Sequence, residues 1–209
     1  MANANAVSAA CEAVTFILQT ALAPLSNEIA GSSESLRFEV YRSSDFADQD
    51  APNRVTSGAS IFLYRVVPNL SCRNPVGNAL SNGSRLKNKL SLDLNILITV
   101  WGQDSSTQNR LVGWVMHILE HHTTLPAAVL NSQAFPNAFG ENETVDLILG
   151  EINSEELLQL WEALGHGELP YQISIPYLLR SVVIDSPWVL DDGPPVQSRT
   201  LDMQRVVGG

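Results

Sequence analysis

LSLDLNILITVW, residues 90–101, decides how the rest of the chain is read. Its first half alternates: Leu90, Leu92 and Leu94 are separated by Ser91 and Asp93, the period-two pattern of a strand with one buried face. Its second half turns into a nearly continuous apolar run ending at Trp101. That change predicts a central strand that is half-covered where it starts and covered on both faces at its far end.

Working outward, ASIFLYRVV (59–67) is rich in β-branched and aromatic residues and reads as a buried strand ended by Pro68. Residues 69–88 between the two strands carry NP, GN and NG punctuation. Arg73, Arg85, Lys87 and Lys89 lie in or just after this stretch. A solvated loop is the plainer reading of that basic cluster, and a contact surface for an acidic protein partner is the functional one.

Further upstream, Val7, Cys11, Val14, Leu18 and Leu22 recur at helical spacing, so residues 5–22 predict an amphipathic helix stopped before Pro24. Leu36, Phe38 and Val40 alternate with Arg37, Glu39 and Tyr41 as a half-buried strand. SSDFADQDAPNRVTSG (43–58) is polar and rich in turn residues, and reads as a loop.

Downstream, residues 107–122 predict a helix and TVDLILG (144–150) a short strand. In INSEELLQLWEAL (152–164), Asn153 or Ser154 is an N-cap, and Glu155 and Glu156 sit where the helix dipole favours them. Leu157, Leu160, Trp161 and Leu164 form its buried stripe. YQISIPYLLRSVVI (171–184) reads as a long strand with Ile173, Ile175, Tyr177, Leu179, Ser181 and Val183 on one face. Pro176 cannot donate to a ladder, which argues for an edge strand or a bulge, and an open edge invites pairing with another chain. The tail from Asp185 has no periodicity and reads as an arm that needs something to bind.

With 209 residues, 44% hydrophobic and 16% charged, the chain has the composition of one globular domain. A net charge of −10 argues against binding phosphate backbones. Cys11 and Cys72 stand apart with no Cys-x-x-Cys pair and read as two reduced thiols, which suits the cytosol. The first 22 residues have an apolar stretch but no basic leader, and Glu12 and Gln19 interrupt it, so neither a signal peptide nor a membrane span is expected.

HILEHH (117–122) holds three of the four histidines, and His117-x-x-Glu120-His121 has the spacing of an inverzincin zinc site. On a helical wheel Leu111, Trp114, Val115, Ile118 and Leu119 share the apolar stripe, while His117, Glu120 and His121 lie opposite, on the face a helix normally gives to water. A zinc protease also needs a third protein ligand and a cleft, and no second motif singles one out. The solvated or partner-facing reading outweighs the zinc site. His122 falls at the helix end as a core or capping histidine. The chain has no nucleophile elbow, Walker A loop or dinucleotide-binding glycine motif.

IFLYRVVPN (61–69), LSLDLNILITVWG (90–102), the helix from Asn109 to Glu120, INSEELLQLWEAL (152–164) and YQISIPYLLRSVVIDS (171–186) form an ordered set. Most distinctive is the helix Ser154, Glu155, Glu156, Leu157, Leu160, Trp161 leading into the strand Tyr171, Ser174, Tyr177. Together they resemble the cap, or tail-terminator, proteins of phage-tail-like contractile injection systems, of the Photorhabdus-virulence-cassette and antifeeding-prophage type. Pro176, the insert GHGELP (165–170) and the short tail depart from that pattern.

The resemblance implies a single α/β (α+β) domain over residues 1–186, with a mixed sheet of about five strands flanked by helices, and a C-terminal arm over 187–209. It implies a non-enzymatic homohexameric ring without metal or cofactor. Such a ring ends the inner tube, anchors the sheath in its extended state, and is assembled in the cytoplasm into a tail-like particle. The implied partners are further copies of itself, the tube protein and the sheath protein, with no nucleic acid and no membrane insertion. Contact candidates are Arg73, Arg85, Lys87, Lys89, Tyr171, Ile173, Ile175, Tyr177, Trp188 and Arg199. The alternatives are a zinc hydrolase using His117, Glu120 and His121, and an assembly adaptor that leaves the finished particle.

Overall fold

The computed structural model describes residues 2–31, 35–47, 54–72, 85–86, 88–132, 134–165, 169–186 and 188–190. The chain opens with helix α1 (Ala6–Leu22), a short 3-10 turn and α2 (Ser26–Ala30). Strand β1 (Arg37–Tyr41), helix α3 (Ser43–Ala47) and strand β2 (Gly58–Pro68) follow, and α3 is the crossover that lets β1 and β2 run parallel. Then come β3 (Arg85–Leu86), β4 (Leu90–Trp101), α4 (Ser105–Glu120), β5 (Thr124–Pro126) and α5 (Ala127–Leu130). The described chain ends with β6 (Thr144–Leu149), α6 (Ser154–Gly165), β7 (Ser174–Ile184) and β8 (Val189–Leu190). The main sheet is mixed and has six strands in the order β1-β2-β4-β7-β6-β5, one more than expected; β3 and β8 form a separate two-stranded ribbon.

β4 sits inside the sheet, paired with β2 and β7, and its burial follows the sequence pattern. Leu94, Ile96, Ile98 and Val100 are fully buried on one face, packed beneath α1 and α4. Leu97 and Thr99 are fully buried on the other, so the far end is covered on both sides. Each such aliphatic side chain contributes about 1.5–3 kcal/mol.

α1 reaches this first face through Ala6, Ala9, Ala10 and Ala13, whose small side chains bring the helix axis close to the sheet, with Val14, Leu18 and Leu22 filling the space beside them. The run Ala6–Ile29 is long and apolar enough, by length and composition, to cross a membrane. In the fold most of its apolar side chains line the core, while Phe16 is exposed.

Cys11 is buried in the same layer as a free thiol, and burial, with Glu12 adding to it, pushes the thiol up to about 12. The native state keeps this proton while the unfolded chain releases it, so the associated stability is complete below the ordinary thiol range and is lost as pH rises toward the folded value. Burial raises Tyr41, Tyr64 and Tyr177 in the same direction. Urea midpoints should therefore fall steadily from about pH 9 to about pH 11, and a flat profile would contradict this placement of Cys11.

Among the described residues, the second face is covered at the far end of β4, by α3 and α6. Tyr41, Phe46, Phe62, Trp101 and Trp161 form an aromatic layer there, with edge-to-face rings such as Phe46–Trp161 at 5.7 Å. The indole N–H of Trp101 donates to Ser60 Oγ at 2.9 Å, and that of Trp161 donates to Ser174 Oγ at 3.2 Å. Polar strand residues under the aromatic layer are thereby satisfied, as buried hydroxyls require.

β7 departs from its expected place. It is an interior strand between β4 and β6, not an edge. Pro176 is tolerated because its carbonyl accepts from Gly150 N–H at 2.9 Å, so its ring nitrogen faces the same side, just beyond the last residue of β6. The expected face also breaks. Ser181 has φ 63° and is the extra residue of a bulge, so Val182 replaces Val183 in the core after Ile175, Tyr177 and Leu179.

Asp93 pins that bulge, its Oδ1 accepting from Ser181 N–H and from Asn69 Nδ2, both at 3.0 Å. Asp93→Ala should cost about 1–3 kcal/mol in urea denaturation by removing the acceptor of both bonds. A loss below a few tenths would mean that the bulge stands without it.

Two smaller differences follow from packing. Residues 43–47, read as loop, form α3 because Phe46 finds the aromatic layer, while Asp45 accepts from Arg42 N–H at 2.8 Å. β2 is buried only in its first half and emerges at Arg65 and Val66.

Candidate interaction surfaces

The helix carrying HILEHH starts where Asp104 caps it, accepting from Thr107 N–H at 2.9 Å and from the Thr107 hydroxyl at 2.8 Å. These bonds hold the Asp104 carboxyl below the usual carboxylate range, the backbone bond first. α4 then buries Leu111, Val115, Ile118 and Leu119 and turns His117, Glu120 and His121 to the surface.

The imidazoles of His117 and His121 stand 4.5 Å apart, edge to face, and His121 Nδ1 lies 2.7 Å from the His117 carbonyl. His122 is exposed, not core, and its Nδ1 lies 2.8 Å from Ile118 O, as a cap on the terminal carbonyls. Among the described residues no three His, Cys, Asp or Glu side chains converge as a metal site. Two histidines on an open helix side give no cleft for a hydrolytic metal.

A more distinct feature lies where β4 begins. Leu70, Leu90 and Trp188 are among the most exposed large apolar side chains, Leu70 at 73% and Trp188 at 67%. They line two adjoining grooves of about 410 and 560 Å³ that share Asn88 and Leu90. The floor is ordered by Lys89, whose Nζ lies 2.8 Å from the buried Asp185 Oδ1, and by Asp185 N–H donating to Ala2 O at 2.9 Å.

The β3–β8 ribbon brings Arg85–Leu86 of the basic stretch against Val189–Leu190 of the tail. Two segments chosen separately from the sequence are therefore one surface. Contiguous apolar side chains of this exposure are the ordinary signature of a protein contact. Arg73, Lys87 and Arg199 lie outside the described residues, and the side chain of Arg85 is likewise not described.

The strand candidates divide. Ile175 and Tyr177 are buried in the core, so they are not contact residues in this fold. Ile173 is half-buried and gives its carbonyl to Val100 N–H at 2.9 Å. Tyr171 is exposed and leans on Trp161 at 5.8 Å.

Sequence reading missed the near half of the second sheet face. Register places Arg65 beside Asn95, Asn95 beside Leu178, Leu178 beside Ile148 and Arg180 beside Asp146, all pointing to the side that α6 leaves open. The signal was present in the chain: Arg65 and Arg180 each interrupt an otherwise apolar strand.

Among the described residues, a six-stranded mixed sheet packed against helices on one face and partly covered on the other defines a single α+β domain. The chain belongs to the Pvc16 N-terminal domain family, whose pattern matches residues 10–198. The fold is similar to that of the sheath/tube terminator of an extracellular contractile injection system, PVC, solved in the extended state: TM-score 0.53, 16% identity, 92% of this chain and 65% of that one. The anti-feeding prophage tube-terminating cap aligns with a TM-score of 0.49 and 17% identity over 88% of this chain and 60% of that one. This chain thus spans less than two thirds of the length of either. A comparison with curated proteins gives no match.

Proposed function

We propose that this chain is the tube-terminating cap of a contractile injection system, a structural protein without bond chemistry. The observation that carries this reading is membership of the Pvc16 N-terminal domain family over nearly the whole chain. The fold shared with a sheath/tube terminator is consistent with it. Blocking a growing end needs only a terminal surface that the next tube or sheath subunit cannot use, so binding energy and geometry suffice.

In this reading six copies close a ring assembled in the cytoplasm on the end of the tube. A ring of heterologous contacts closes only when each subunit offers two different complementary patches. In the same reading the groove of Leu70, Leu90 and Trp188 meets the tube or sheath, and residues 187–209 serve as an arm for the sheath.

Native mass spectrometry of the protein purified without chelator tests this against the hydrolase, because one spectrum reports subunit count and bound metal. A metal-free ring of identical subunits is the expected result. A monomer carrying one zinc per chain would overturn it and return attention to Glu120.

A further inference from the structure

We propose that the outward face of α6 in one copy docks on the open half of the second sheet face in the next copy, a head-to-tail contact between identical chains. The two patches are complementary in charge and size. On α6, Glu155, Leu158 and Glu162 follow one another at i, i+3 and i+7 and are all exposed on the helix side turned to solvent, with Leu158 at 58% exposure. An apolar knob therefore stands between two carboxylates. On the sheet, Leu178 and the exposed Ile148 form a cross-strand apolar pair flanked by the exposed Arg65 and Arg180.

Among the described residues neither arginine has a carboxylate within ion-pair reach, although the chain carries 22 acidic residues and a net charge of −10. Asp146, opposite Arg180, instead accepts from Thr124 Oγ1 at 3.4 Å. Glu155 accepts only a long bond from Gln159 Nε2, at 3.4 Å.

The spacings agree. Seven residues of helix separate Glu155 from Glu162 by about 10.5 Å. Arg65 lies two strands across and two residues along from Arg180, a diagonal of about 12 Å at ordinary strand spacings. A sheet face that is covered over half its length by one helix is completed as a layer by a second. The helix of the same chain cannot supply it, since its outward face points away from its own sheet. The contact is heterologous and propagates from copy to copy. It deepens the ring reading above and rests on it only for closure of the ring.

Sedimentation equilibrium tests it with two charge-reversed proteins, Arg65→Glu/Arg180→Glu and Glu155→Arg/Glu162→Arg, each checked for native circular dichroism. Alone, each sets like charges against each other and should self-associate at least about tenfold more weakly than the wild type. An equimolar mixture restores opposite charges at every junction and should regain wild-type association. A wild type that stays monomeric, single variants that associate normally, or a folded mixture that does not recover would each overturn the contact. If the mixture recovers but fails to end tubes, the contact stands and the cap reading falls.

Discussion

Gly58→Ala is expected to remove on the order of 4–5 kcal/mol of stability, enough to leave little folded protein. Gly58 starts β2 directly opposite Arg37, the first residue of β1, with φ 134°, a conformation that L side chains rarely adopt. A Cβ built there would fall inside the carbonyl oxygen of Arg37 and crowd its backbone nitrogen, so neither strand can yield by moving a side chain. The parallel β1–β2 pairing begins at this point, and Arg37 N–H donates to Ser57 O at 3.0 Å beside it.

Gly31→Ala is the control. It has φ 82° and open space around the added methyl, so it should cost only about 1–2 kcal/mol. Urea denaturation followed by circular dichroism measures both. Equal losses at the two sites would mean that the close approach of β1 to β2 is not as described.

Trp161→Ala should cost about 3–5 kcal/mol. Trp161 is 3% exposed, lies 5.7 Å from Phe46, 6.4 Å from Trp101 and 5.8 Å from Tyr171, and anchors Ser174 through its indole N–H. Removing it opens a cavity between α6 and the sheet and strips the cover from Thr99 and Ser174. Trp161→Phe keeps most of the aromatic contact and loses the hydrogen bond, so it should cost nearer 1 kcal/mol. A loss of similar size in both variants would place the weight on the hydrogen bond and not on the ring.

How far the sequence could be read depends on which interactions fix each element. β4 was legible because burial on one face or two is written directly into a strand's periodicity, and α1, α4 and α6 were legible for the corresponding reason in helices. The position of β7 was not, because the rule against proline inside sheets is local while the exception depends on where a neighbouring strand stops. Only the fold shows that β6 ends at Leu149, across from Tyr177. The bulge at Ser181 was hidden for the same reason: it is held by Asp93, 88 positions away.

Of the contact candidates, Lys89 and Trp188 line the grooves where β4 begins, whereas Ile175 and Tyr177 lie in the core because β7 is internal. The open half-face around Arg65 and Arg180 escaped notice because its members come from four strands and meet only in register.

The claim that this chain ends a tube is tested most directly by electron microscopy of cognate tube subunits polymerised with and without the purified protein. The account predicts a ring of density at one end of each tube and shorter tubes as the protein is added. Tubes of unchanged length with bare ends, or protein scattered along their sides, would contradict it.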